Sequence, residues 1–258
     1  MSSKARFIIK TVQSSAFKCL IEALKDILTE CNIEVDSTGL RIITMDLSHT
    51  VLVHLKLDQN FEYFECRQKI IIGVNVLYLF KLIRTMTSSD TLTLCVEENN
   101  LNVLHITIEN GEKNTVTNYR LNLIDLNEEI IEIPETDFDS IITIPSNTFQ
   151  KLCKDMINIG DYVEIQSVNK QLIFSCKGEF AEQETIIGET ADTNFDNVDE
   201  QHITQGVFAL KHLVMFTKCT NLSNSIQILF KNDFPIIIKY QVASLGFIKL
   251  CLAPRGDE

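Results

Sequence analysis

The sequence predicts an α+β fold in which antiparallel strands outnumber helices, and three observations carry that prediction. Four segments place apolar residues at helical steps. Many short runs rich in Ile, Val, Leu and Thr lie between them, bounded by turn residues. The order of these elements then recurs once along the 258 residues.

The first helix carries Phe17, Leu20, Ile21, Leu24, Ile27, Leu28 and Cys31 at steps of three and four, a stripe suited to cover a sheet, with Ser14 or Ser15 expected as its cap. A second is expected from about Val76 to Met86, with Leu79, Ile83 and Met86 inward. A third opens after Pro145, with Ser146 as its expected cap and Phe149, Leu152, Cys153 and Met156 on the buried side. The fourth is expected from about Phe208 to Lys218, with Leu210, Leu213, Val214 and Thr217 inward.

Hairpin turns are expected at Asp36-Ser37-Thr38-Gly39, Asn99-Asn100, Asn110-Gly111, Asn169-Lys170 and Asn232-Asp233, each between strand-like runs. Leu104, Ile106 and Ile108 alternate with His105, Thr107 and Glu109, as a strand with one buried face requires. The repeated order defines two domains, residues 1–122 and 139–258, joined over 123–138 by an extended linker that is both acidic and apolar. A second acidic stretch, Glu189 to Gln201, lacks periodicity and reads as a mobile loop.

At 45% apolar content each half can bury a core of its own. The eight cysteines lie far apart, with no Cys-x-x-Cys pair and no Cys/His cluster at metal spacing, so they read as small buried hydrophobes in a reducing compartment. No metal or cofactor is expected. Met1 to Phe7 has no apolar signal region, and the most apolar run, Ile70 to Ile83, is interrupted by Gly73, Asn75 and Lys81, too short and polar to span a bilayer. The expectation is a soluble intracellular protein with no membrane partner. There is no Gly-rich phosphate loop, Gly-x-Ser-x-Gly elbow or His-Glu-x-x-His motif, and the five histidines are scattered, so no enzyme class is indicated.

A net charge of −12 argues against a nucleic-acid partner unless the positive charge is concentrated. It is concentrated on the helices. Lys18 with Lys25, Lys81 with Arg84, Lys151 with Lys154, and Lys211 with Lys218 are spaced by three or seven positions, which keeps each pair on one face opposite the apolar stripe. Lysines on one solvated helix face are ordinary; a pair on every one of four helices is less so. Glu22, Asp26 and Asp155 dilute the field, which suits weak contact with phosphate that carries no sequence information.

Seven collinear segments then resemble one family over essentially the whole chain: Glu22-Ala23-Leu24-Lys25-Asp26, Met45-Asp46-Leu47-Ser48-His49, Gly73-Val74-Asn75, Ile159-Gly160-Asp161, Phe208-Ala209-Leu210, Phe216-Thr217-Lys218 and Leu252-Ala253-Pro254. Their order is that of the proliferating cell nuclear antigen family, the eukaryotic-type DNA sliding clamps. The resemblance implies a DNA clamp of two similar domains, antiparallel sheets with helices on one face, assembling into a closed homotrimeric ring. It also implies a DNA polymerase processivity factor that encircles double-stranded DNA without sequence specificity. On this resemblance the eight basic helix residues, together with Arg6, would face DNA.

The resemblance further implies a pocket for partner peptides of the Gln-x-x-aliphatic-x-x-aromatic-aromatic type (PIP-box-type), formed here by Met45, His49, Ile131, Ile133, Phe138, Pro235, Cys251, Ala253 and Pro254. Two positions depart from the family pattern: Phe138 stands for the aromatic expected near the linker's end, and Cys251 replaces an aromatic, which implies a roomier pocket. DNA polymerase, the clamp loader, flap endonuclease and ligase are the partners implied, with roles in replication and repair. Ring closure would pair Asn114 to Leu121, including Thr117, Tyr119 and Leu121, with Gly178 to Ile187, including Phe180 and Thr185, of the next subunit. Asn169 stands at the family's ubiquitin-acceptor position, beside Lys170. Location in the nucleus, or at the site of viral DNA replication, is implied. A subunit of a heterotrimeric checkpoint-type clamp is the alternative, disfavoured by the Leu-Ala-Pro carboxyl end and the linker.

Overall fold

The structure, a computed structural model, describes residues 5–46, 48–127, 131, 133, 136–196 and 203–255. The first half runs β1 (Ala5–Thr11), α1 (Ser14–Ile27), β2 (Glu30–Asp36), β3 (Gly39–Met45), β4 (Val51–Asp58), β5 (Tyr63–Cys66), β6 (Ile70–Asn75), α2 (Val76–Ile83), β7 (Asp90–Glu97), β8 (Asn100–Asn110) and β9 (Thr115–Asn122). The second runs β10 (Ser140–Pro145), α3 (Ser146–Met156), β11 (Tyr162–Val168), β12 (Gln171–Lys177), β13 (Glu182–Gly188), β14 (Asn194–Asp196), β15 (Thr204–Ala209), α4 (Leu210–Phe216), a 3-10 turn Thr217–Leu222, β16 (Ser225–Phe230), β17 (Ile236–Val242) and β18 (Gly246–Leu252). Strands dominate and each half carries two helices, as the sequence predicts.

The chain forms two compact units that are not two contiguous stretches. Unit 1 comprises Met1–Thr44, His54–Ile131 and Gln241–Ile248; unit 2 comprises Met45–Val53, Glu132–Tyr240 and Lys249–Glu258. In unit 1 a five-stranded antiparallel sheet has the order β5-β1-β7-β8-β9, and a second run of strands the order β4-β3-β2-β6. Its core joins Phe7, Ile9, Leu94, Val96 and Ile106 of the first sheet to Phe17, Leu20, Ile21 and Leu24 of α1 and Leu79 and Ile83 of α2, all buried. In unit 2 the sheet β13-β12-β11-β15 and the run β14-β10-β16-β17 close over Phe149 and Met156 of α3 and Leu213 and Phe216 of α4. Burying these apolar stripes is what holds helices this short, which are marginal alone in water.

The helices are shorter than their periodicity suggests. Leu28 is the extended residue that ends α1, and Cys31 lies on β2; both are buried, so their spacing records burial, not helix. Ser14 and Ser146 are the first residues of α1 and α3 and cap neither. Their hydroxyls donate to Thr87 O at 2.8 Å and Ser223 O at 2.6 Å, tying each helix start to a neighbouring loop. Helix α2 is capped by Asn75, whose Oδ1 accepts the Tyr78 N–H at 3.0 Å, and ends before the still-buried Met86. Phe208 belongs to β15, and α4 tightens after Phe216. There the Thr217 hydroxyl donates to Val214 O at 2.7 Å and the Thr220 hydroxyl to Thr217 O at 2.6 Å.

All five expected turns form. Asn169 and Lys170 have φ of 51° and 55°, the paired left-handed conformation of a two-residue hairpin, and Gly39 closes its turn at φ 138°. Another, unanticipated, joins β17 to β18 through Ala243 at φ 47° and Ser244, closed by Gly246. The acidic stretch from Glu189 is not loop throughout. Residues 194–196 are β14, paired with β10, because Phe195 finds a place in the core; residues 197–202 lie outside the described ones. The linker begins as an antiparallel bridge between Ile124 and Gly73, and Asn32 Nδ2 donates to Leu126 O at 3.1 Å. Its residues 128–130, 132, 134 and 135 are outside the described ones. Among the described residues no helix is long and apolar enough to cross a membrane.

Candidate functional site

In unit 1, α1 packs against α2, and their basic residues are held in different ways. Lys18 Nζ donates to Met86 O at 2.5 Å. Lys25 Nζ is 2.7 Å from Asp26 Oδ1 and 5.1 Å from the centre of the Phe80 ring, leaving its side chain only 18% exposed. Lys81 Nζ lies 5.5 Å from the centre of the Tyr78 ring, and Arg84 is exposed at the end of α2. Arg6 lies on a strand, not on these helices. It is the bulged residue of β1, between Ala5 and Phe7, and its Nη1 is 3.1 Å from Glu98 Oε1.

In unit 2, α3 packs against α4, and Lys151, Lys154 and Lys211 are exposed, with no ion pair or ring contact among the described residues. Lys218 lies on the 3-10 turn beyond α4, also exposed. His212, which the sequence periodicity did not place inward, is buried next to exposed Lys211, whereas Val214, expected inward, is half-exposed. Burial, then the Lys211 charge, push the His212 imidazole below its ordinary value, against an opposing pull from Asp46.

The expected pocket residues, Ile131 apart, belong to unit 2. Met45 ends β3, and Asp46 organises the turn after it: Oδ1 accepts the Thr50 and Val51 N–H groups at 2.9 and 2.8 Å, and the Ser48 hydroxyl also donates to the carboxylate. Burial opposes ionisation of Asp46, but the Ser48, Val51 and Thr50 hydrogen bonds outweigh it and hold the carboxyl below its ordinary range. His49 is exposed at φ 54°; Leu47 lies outside the described residues. Phe138 is half-buried, Ile133, Pro235 and Ala253 are exposed, and Pro254 is half-buried. Cys251 is buried at the end of β18, which raises its thiol to about 11.

Two features had no signal in the sequence. Lys231 Nζ donates to Asp137 O at 3.2 Å and lies 5.2 Å from the ring centre of Phe234, an exposed aromatic beside Pro235. After β18, the Arg255 N–H donates to Val207 O at 2.8 Å and its guanidinium lies 4.6 Å from the centre of the Tyr162 ring, fastening the end of the described chain to β15. Among the described residues no group of three His, Cys, Asp or Glu is placed to hold a metal ion.

Among the described residues, each unit has edge strands. β9 borders the five-stranded sheet, with Thr117 exposed and Tyr119 half-buried; β13 borders the four-stranded sheet, with Thr185 half-buried and Phe180 beside it 78% exposed. Leu121 is paired across from Leu104 with its side chain buried, so at this position the strand has its backbone to offer another chain, not its side chain.

Residues 6–130 match the family described as Proliferating cell nuclear antigen, N-terminal domain, and residues 132–255 match Proliferating cell nuclear antigen, C-terminal domain. The chain is 36% identical over 254 residues to the probable DNA polymerase sliding clamp 1 of Paramecium bursaria Chlorella virus 1, covering 96% of both chains. It is 31% identical over 252 residues to the proliferating cell nuclear antigen of Chaetomium thermophilum, covering 95% of this chain and 97% of that one. The two-domain fold and these matches define a clamp-type protein. The chain belongs to the proliferating cell nuclear antigen family.

Proposed function

We propose that the protein is a DNA sliding clamp: a non-catalytic processivity factor that closes as a homotrimer around double-stranded DNA and holds a DNA polymerase to its template. The observation that carries this is the end-to-end match of both halves to the two domains of one family. The geometry accords with it. Four helices present cations beside a surface that is otherwise acidic, and such contacts with phosphate carry no sequence information, so the grip permits sliding. Among the described residues each unit also keeps a strand edge unpaired, and intermolecular pairing is a physical answer to an open edge.

The turn around Asp46, the β16 to β17 turn with Pro235, the linker and the tail after β18 form the partner-peptide pocket in this proposal, taking PIP-box-type segments of polymerase, clamp loader, flap endonuclease and ligase. The protein acts at sites of DNA replication, in a nucleus or in a viral replication compartment. Sedimentation of the purified chain at micromolar concentration tests the ring: three copies support it, and a persistent monomer overturns it in favour of a subunit needing other partners. Primer extension with a loader and polymerase tests the activity, with longer products expected when the protein is present.

A further inference from the structure

We propose that the exposed face of α2 binds single-stranded DNA, with an unpaired base stacking on Tyr78 and the adjoining phosphates meeting Lys81 and Arg84. Among the described residues Leu77 and Tyr78, 42% and 55% exposed, are the only large apolar side chains that a helix turns to solvent. They are followed on the same face, at steps of three and four, by Lys81 and Arg84, both exposed. No acidic residue lies on α2, whereas α1 exposes Glu22 and Asp26 and α3 exposes Asp155.

The platform is rigid where it matters. Asn75 caps the first turn through the Tyr78 N–H, and Asn75 Nδ2 donates in turn to Glu30 Oε1 at 3.3 Å on β2. Lys81 Nζ, 5.5 Å from the ring centre, sits against Tyr78, and Lys25 sits against Phe80, two residues on. A duplex keeps its bases stacked inside and offers only phosphates, for which an exposed tyrosine and leucine have no use. An aromatic face interleaved with cations is the composition that single strands select, because every base has a face to stack and every nucleotide a phosphate to neutralise. The placement deepens the clamp reading and rests on it for biological meaning: α2 would meet the unpaired template where a primer ends.

The test is titration of the full-length protein with a fluorescent oligothymidylate and, separately, with a blunt duplex of equal length. Tyr78→Ser is expected to weaken oligothymidylate binding about tenfold, within the stacking contribution of one base, and to leave duplex affinity and trimer mass unchanged. Tyr78→Phe keeps the ring and is expected to retain binding, and Lys81→Ala should flatten the salt dependence of both ligands. Oligothymidylate binding by Tyr78→Ser equal to that of the unmodified protein overturns the inference, as does an equal loss on both ligands. A trimer retained on circular duplex in that event leaves the clamp reading standing; an unmodified protein that never closes on duplex removes the clamp reading without touching the titration.

Discussion

The Ile124 N–H donates to the carbonyl oxygen of Gly73 at 2.9 Å, so the segment leaving β9 is stitched antiparallel to the end of β6, directly before α2. Glycine is required by proximity. A Cβ at residue 73 would stand 2.2 Å from Ile124 O. Gly73→Ala is therefore expected to destabilise unit 1 by about 1–3 kcal/mol, the usual range for forced overpacking, seen by calorimetry as a transition several degrees lower.

The basic residues are expected to contribute unequally. Lys25 is paired with Asp26 and shielded by Phe80, whereas Lys151, Lys154 and Lys211 stand exposed with no ion pair among the described residues. Replacing those three by Ala should reduce the slope of log affinity for duplex DNA against log salt by roughly 2–3, while Lys25→Ala should change it by less than about 0.5. Equal effects from both variants would contradict this ranking.

At the open edges, Phe180 exposes most of its side chain in the free chain and Tyr119 about half-buries its own. If β9 and β13 join copies, truncating either aromatic removes an anchor of the kind that dominates interfaces. Phe180→Ala or Tyr119→Ala should raise the concentration for half-assembly at least tenfold in sedimentation, with the fold intact by circular dichroism.

His212 gives a pH dependence whose sign is fixed. Its folded value lies below the ordinary 6.5, so the unfolded chain takes up the proton first. The stability it contributes is complete above pH 6.5 and is lost as pH falls toward the lower folded value. His212→Phe should reduce the difference in melting temperature between pH 7.5 and pH 5.5; an unchanged difference would place the sensitivity elsewhere.

For the partner pocket, Ile131→Ser exchanges a half-buried apolar side chain for a hydroxyl. Calorimetric titration with a PIP-box-type peptide should show affinity reduced about tenfold, the consequence of losing one apolar anchor.

The sequence made the strand-rich architecture, four helices and five turns legible because each has a local cause: Asn and Asp tolerate left-handed backbone, and burial imposes its own period. It misled where burial continues past a helix, as at Leu28, Cys31 and Met86, since a buried residue beyond a helix end mimics the next turn. Ser14 and Ser146 read as caps, but their hydroxyls bond to chain 73 and 77 residues away, which no local pattern records. The helix lysines were legible as charges, whereas their unequal availability was not. That depends on Met86 O and Phe80, brought beside Lys18 and Lys25 by packing. The bulge at Arg6 and its pairing with Glu98, 92 residues away, likewise had no local signal.

The two free borders also differ in sign. β13 turns Glu182 and Glu184 outward, and β9 turns Arg120 outward with no carboxylate along its length. Two copies meeting through the same border would oppose like charges, whereas unlike borders attract. If these borders join copies, as proposed, the charges weigh against a symmetric pair and toward head-to-tail closure, although Glu182 already shares its charge with Lys177 at 2.6 Å within the same chain.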